Sequence, residues 1–185
     1  MENTGPSKRV FVGIKASGLI ASECVKLQAE FSDLPARFIP PKDLHVTLLA
    51  PWEMPDQSEV VEKIHKELQS TRRFTLKLNR LCYGPSVAKP KLAWIKCSPT
   101  KELIALHQEL LRAFAFEERI AFKPHVTLAR FKKEHREFLS QRPIDKPIAL
   151  SMPVRSIELF QSPGIGGCGY TVLASLRIPL NKIPG

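Results

Sequence analysis

The chain has 185 residues, 43% hydrophobic and 25% charged, enough to bury a core and unlike the composition of a disordered or fibrous chain. Its 28 Lys and Arg against 18 Asp and Glu leave a formal charge of +10, which favours a polyanionic partner such as nucleic acid or a nucleotide. The opening "MENTGPSKR" lacks the apolar stretch of a signal peptide, and no later run is long enough to span a bilayer, so a cytoplasmic protein with no membrane contact is expected.

In chain order, "RVFVGIK" at Arg9–Lys15 reads as a buried strand. "SGLIASECVKLQAEF" follows as a helix, with Leu19, Ile20, Val25, Leu27 and Phe31 expected on one side. Prolines bracket a second strand, Leu44 to Leu49. Asp56 with Glu59 gives a capping-box-like start to a helix whose Val60, Val61, Ile64 and Leu68 share a face. "RFTLKLNRLCY" alternates as a strand with one exposed face.

After the loop "GPSVAKP" the same order begins again. "KLAWIKC" is a strand, and Thr100 caps a helix with a Leu103, Leu106, Leu110, Phe114 stripe. "KPHVTLARF" is a strand and "KEHREFLSQ" a short helix. "RSIELFQS" and "YTVLASLRIPL" close the chain as strands around a glycine-rich loop. Repeating units over roughly 9–83 and 91–162, with a last strand at 170–180, predict one α+β domain of two pseudo-symmetric lobes. Each lobe is an antiparallel-rich sheet with helices on its outer face. Cys24, Cys82, Cys97 and Cys168 form no C-x-x-C pair and have no His at metal-ligand spacing; reduced, mostly packed thiols are expected.

The tetrapeptide "HVTL" occurs twice, at His45–Leu48 and His125–Leu128, in a chain with five histidines. Strand alternation sets His45 with Thr47, and His125 with Thr127, on one side while Val and Leu anchor the other. A duplication kept for packing alone would preserve Val and Leu more readily than His and Thr. If the lobes face one cleft, two imidazoles can serve as general acid and general base and two hydroxyls can hold phosphate oxygens. That constellation suits in-line attack on a phosphodiester. His65, His107 and His135 have charged helical neighbours and no partner motif, and read as surface or packing residues.

Taken together, "RVFVGI", "PPKDLHVTL", "KPHVTLAR" and the closing "IELFQSPG" and "YTVLASLRIPL" resemble the RNA 2′,3′-cyclic phosphodiesterase family. That family belongs to the two-histidine phosphoesterase superfamily and was formerly called 2′-5′ RNA ligase. The resemblance implies a two-lobed fold in which both chain ends belong to one lobe. It also implies metal-independent, cofactor-free opening of a 2′,3′-cyclic phosphate on RNA ends or nucleotides to a 2′-phosphomonoester. On that likeness His45 is the proton donor and His125 the proton acceptor. Thr47, Thr127 and Arg130 bind phosphate, and Phe11 lies by the nucleotide. The alternatives are an RNA-end-binding protein, or a 2′-5′ RNA ligase using the same cleft; no obligate protein partner is evident. Strict alternation would put Arg130 on the face opposite His125, so its role requires the strand to end or bulge there. The first motif also departs from the family, running into "LLAPWEM" where relatives commonly have a Phe-Leu-Gly turn.

Two further signals compete. "GIGGCG" at Gly164–Gly169 satisfies G-x-G-x-x-G, but a strand follows it instead of a helix, so a hairpin loop is expected. "RFKKEHR" at Arg130–Arg136 adjoins the second motif and reads either as an attractor of RNA backbone or as a solvated charged face.

Overall fold

The computed structural model describes residues 7–164 and 167–180. Strand β1 (Lys8–Lys15) leads into helix α1 (Leu19–Ala29), short strand β2 (Ala36–Phe38) and strand β3 (His45–Met54). Helix α2 (Gln57–Leu68) and strands β4 (Phe74–Gly84) and β5 (Leu92–Cys97) follow, then helix α3 (Lys101–Ala113) and strand β6 (His125–Phe131). Helix α4 (Arg136–Ser140) and strands β7 (Asp145–Val154), β8 (Ser156–Gln161) and β9 (Thr171–Arg177) complete the order. The fold is α+β, as expected. The strands form one nine-stranded sheet in the order β7-β4-β5-β6-β3-β1-β8-β9, with β2 attached to β6, and every pairing is antiparallel.

The sheet is two lobes, β7-β4-β5-β6 and β3-β1-β8-β9, joined where Val46 of β3 pairs with Val126 of β6. These valines hold the same place in the two HVTL motifs, so the pseudo-twofold passes between them. Sequence halves and lobes do not coincide. Strand β4, from the first half of the chain, lies beside β5 in the lobe of the second motif, while β8, from the second half, lies beside β1. Both β1 and β9 sit in the same lobe.

Helix caps follow their local chemistry. The Asp56 carboxylate accepts from the Glu59 amide at 3.0 Å, and the Thr100 hydroxyl from the Leu103 amide at 3.3 Å. The buried stripes of α2 (Val60, Ile64, Leu68) and α3 (Leu103, Leu106, Leu110) match expectation, with Val61 and Phe114 half-buried at their edges. The stripe expected for α1 needs correction. Leu19 and Val25 are exposed, and the helix buries Ile20, Cys24, Leu27 and Gln28, which are the true i, i+4, i+7, i+8 set. Two strands escaped the sequence pattern. Strand β2 has three residues, and β7, a sheet edge bonded only to β4, carries Pro147 and Pro153, residues that normally argue against a strand and are tolerated at an edge. Strand β3 runs past the expected Leu49 to Met54; its register with β1 skips Ala50 and Pro51 and resumes at Trp52 opposite Val10. Cys24, Cys82 and Cys97 are buried and Cys168 partly so, all unpaired. Burial pushes the Cys24 and Cys97 thiols up to about 12, which leaves them protonated and inert.

Gly13, opposite Thr47 in the β1–β3 ladder, is required by a close approach: a Cβ there would stand 2.6 Å from the Val46 carbonyl oxygen. That oxygen belongs to the seam between the lobes. Gly13→Ala is expected to cost about 1–3 kcal/mol and lower Tm by several degrees in thermal unfolding. An unchanged Tm would show that the seam yields freely.

Candidate active site

Burial along both motif strands alternates as the sequence requires. His45, Thr47, His125 and Thr127 are half-buried, while Val46, Leu48, Val126 and Leu128 are 1% exposed or less. Extending the Val46–Val126 register by one residue sets His45 across from Thr127 and Thr47 across from His125. On that register the histidines are diagonal neighbours, with a hydroxyl beside each.

Both imidazoles are held alike. His45 Nδ1–H donates to the Asp43 carbonyl at 2.6 Å and His125 Nδ1–H to the Lys123 carbonyl at 2.6 Å. A carbonyl can only accept, so each Nδ1 carries the proton and each Nε2 keeps its lone pair for chemistry. Burial pushes both pKa values below the usual 6.5. The carbonyl hydrogen bonds oppose this, and positive charge on Arg130 deepens it. A charge on His125 also lowers His45, so the pair interacts through space.

Arg130 reaches the site because β6 bulges. Trp94 of β5 pairs with Thr127 and Ala93 with Ala129, leaving Leu128 unpaired, so the side-chain phase shifts by one residue. Arg130 then lines the same pocket as His45 and Thr47. Strand β3 bulges at the matching place, where Gly13 pairs with Thr47 and Val12 with Leu49 around an unpaired Leu48. Each bulge carbonyl is held by a buried polar side chain from a helix. Gln28 of α1 donates to Leu128 O at 2.9 Å and to Ile39 O at 2.8 Å, and His107 Nδ1–H of α3 donates to Leu48 O at 2.8 Å.

The frame is symmetric but its charges are not. Position 50, equivalent to Arg130, is Ala; Asp43 occupies the place that Lys123 holds beside His125. Asp43 is 1% exposed, and its carboxylate accepts the Gly169 and Tyr170 amides at 2.6 and 3.1 Å, binding the loop between β8 and β9 to the strand entry of His45. Aromatic neighbours also differ. His45 contacts Phe11 and Tyr170 with ring centroids 4.8 and 5.2 Å apart, and His125 contacts Trp94 at 4.2 Å. Phe11 is 2% exposed, so it serves as the floor beneath His45, and half-buried Tyr170 offers the accessible ring.

His45, Thr47, Arg9, Arg130, Phe11 and Tyr170 line a pocket of about 190 Å³. His125 opens on a neighbouring one of about 310 Å³ with Trp94, Lys96 and Lys123. The glycine run joins β8 to its antiparallel partner β9, as expected of a hairpin loop; Ile165 and Gly166 within it lie outside the described residues. Of the remaining histidines His65 is exposed and His135 half-buried. Asp43, Tyr170, Gln28 and the clamping role of His107 were not read from the sequence. A polar Gln28 on the buried stripe of α1 was the one local signal of them.

Residues 20–164 match the family described as the 2'-5' RNA ligase superfamily. The chain belongs to that superfamily. Among the proteins it is similar to, a putative phosphoesterase of Bacillus cytotoxicus is 34% identical over 110 residues, 56% of this chain and 60% of that protein. The chain thus spans less than two thirds of that relative. An RNA 2',3'-cyclic phosphodiesterase of Archaeoglobus fulgidus is 26% identical over 161 residues, 83% of this chain and 90% of that protein. The fold is similar to TT0787 of Thermus thermophilus, with TM-score 0.78, 21% identity and 94% and 100% of the two chains covered. It is also similar to Escherichia coli LigT complexed with 3'-AMP, with TM-score 0.70, 24% identity and 95% and 99% covered.

The lowered imidazole pKa values carry a stability consequence. Between the folded values and 6.5 the unfolded chain binds more protons than the folded one, so stability falls as pH falls through that window. Replacing both residues in His45→Gln/His125→Gln should flatten the dependence of denaturant midpoint on pH below about 6.5. An unchanged slope would place the acid sensitivity elsewhere.

Proposed function

We propose that the chain hydrolyses 2′,3′-cyclic phosphodiesters of RNA ends or nucleotides to 2′-phosphomonoesters. The observation that carries this reading is the pair of identically tethered imidazoles, each with no Nε2 partner among the described residues and a threonine alongside. Relatives named RNA 2',3'-cyclic phosphodiesterase support the substrate class.

In the step this geometry suits, His125 Nε2 takes a proton from water as the water oxygen attacks phosphorus. The phosphorus–O3′ bond breaks in line, and His45 Nε2–H protonates the departing O3′. The products are a 2′-phosphate and a free 3′-hydroxyl, with one water consumed. Thr47 and Thr127 donate to the non-bridging oxygens and Arg130 faces their charge. The protons on Nδ1 stay hydrogen-bonded to the backbone carbonyls, so proton traffic runs through Nε2 alone.

The division of labour follows the family resemblance, and the asymmetry of the frame is compatible with it. Burial, His125 and Arg130 all lower the pKa of His45, and the Asp43 carboxylate opposes them by favouring its charged form; no carboxylate does the same for His125, where Lys123 holds the matching position. The reading accordingly has His45 as acid and His125 as base.

An oligonucleotide ending in a 2′,3′-cyclic phosphate, incubated with the protein and a chelator, should acquire a 2′-phosphate end. His45→Ala and His125→Ala should each slow this by about 10²–10⁴. Thr47→Val and Thr127→Val should slow it by roughly 10- to 100-fold, the worth of a hydrogen bond to a charged group. Undiminished binding of the oligonucleotide without conversion would instead favour an end-binding protein, and accumulation of joined ends a ligase.

The pH profile of kcat/KM should be a bell whose optimum lies on the acid side of 6.5, since both free imidazoles titrate below that value. Bound phosphate favours imidazolium, so the alkaline limb of kcat should lie above that of kcat/KM. A profile rising monotonically through neutrality would rule out two titrating imidazoles.

A further inference from the structure

Arg130 also lines a second groove, of about 700 Å³, whose charged lining residues are Arg37, Lys91, Arg130, Lys132 and Arg136. No carboxylate is among its described lining residues. Lys132 has a partner in Glu134 at 3.6 Å; among the described residues, the other four cations form no ion pair. Arg37 and Arg130 are direct partners in the β2–β6 ladder, which places two guanidinium side chains on one face opposite each other. Like charges in that relation are unfavourable unless something between them is negative. The Nε atoms of Arg130 and Arg136 are shut off from solvent without an acceptor, a state that buried donors avoid unless a partner arrives.

From these observations we infer that the groove holds the phosphate backbone of the nucleotides immediately 5′ of the reacting end, making an RNA strand rather than a mononucleotide the preferred substrate. This rests on the phosphodiesterase reading for the position of the end. A strand terminating in a 2′,3′-cyclic phosphate can leave the site only in its 5′ direction. Arg130 belongs to both the His45 pocket and the groove, so it bridges the reacting phosphate and the next one. Arg37, Lys91 and Arg136 then take the phosphates beyond. The basic run Arg130–Arg136 thereby acquires a ligand: its first and last residues line the groove, with Lys132 between them.

The test compares 2′,3′-cyclic AMP with octanucleotides bearing the same end, in the parent and in Arg37→Ala/Arg136→Ala, with exposed Lys91→Ala as a second variant that leaves β6 and α4 untouched. The parent should favour the octanucleotide in kcat/KM, and the double variant should reduce that preference about tenfold through KM. The log–log salt slope of octanucleotide binding should fall by roughly 0.7 per cation removed. Equal kcat/KM for both substrates in the parent, or a preference unchanged in both variants, overturns the proposal. Binding of a labelled octanucleotide to His45→Ala, read by anisotropy, is independent of turnover. If no cyclic phosphate is opened at all, the function reading fails, and the groove still stands or falls on whether Arg37→Ala/Arg136→Ala abolishes that binding.

Discussion

The structure depends on a single short seam. A four-strand lobe and a five-strand lobe, the latter counting β2, meet where Val46 and Val126 pair, and both catalytic candidates of each lobe flank that one strand pairing. Because the side-chain period of a strand is two, fixing the valines inward fixes His and Thr outward on both sides at once. The close approach at Gly13 and the two leucine bulges belong to the same arrangement. They bend the motif strands immediately after the threonines, and in β6 the bend turns Arg130 toward the site. Gln28 and His107 hold the bent carbonyls from the helix layer, so the packing of α1 and α3 is coupled to the shape of the site floor.

A site assembled on a pseudo-twofold would, by symmetry, offer two equal groups, and an acid–base pair needs unequal ones. The chain breaks the symmetry at three matched positions: Asp43 against Lys123, Ala50 against Arg130, and Gly13 against Trp94 in the flanking strands. Each substitution changes what surrounds an imidazole without moving its backbone tether. Geometry is therefore shared, and electrostatics and pocket walls are divided. The aromatic wall formed by Phe11 and Tyr170 belongs to His45 alone, and the tryptophan to His125.

What could be read in the sequence was what local periodicity encodes. The HVTL strands, the capped helices α2 and α3, and the order of the repeat all declare themselves within windows of a dozen residues. The phase of α1 was misleading because leucine and valine also occupy its exposed face, and β7 was hidden by prolines that only an edge position tolerates. Arg130 could be reconciled with the site only through a bulge, which depends on the neighbouring strand and leaves no mark in β6 itself. Asp43 is the extreme case: its carboxylate serves amides 126 and 127 residues away, a relation no local pattern expresses.

The crossing of β4 and β8 has a consequence for how such a chain can be divided. Taken alone, the first half would hold a paired β1 and β3 and a β4 with no strand beside it, and the second half a β5–β6 pair lacking β4 and a β8–β9 pair lacking β1. Each half lends the strand that the other needs to complete its sheet. The molecule has the connectivity of two exchanged copies joined end to end. Its cleft is what would be the interface of that exchanged pair, so covalent linkage converts a concentration-dependent encounter between half-sites into a permanent one.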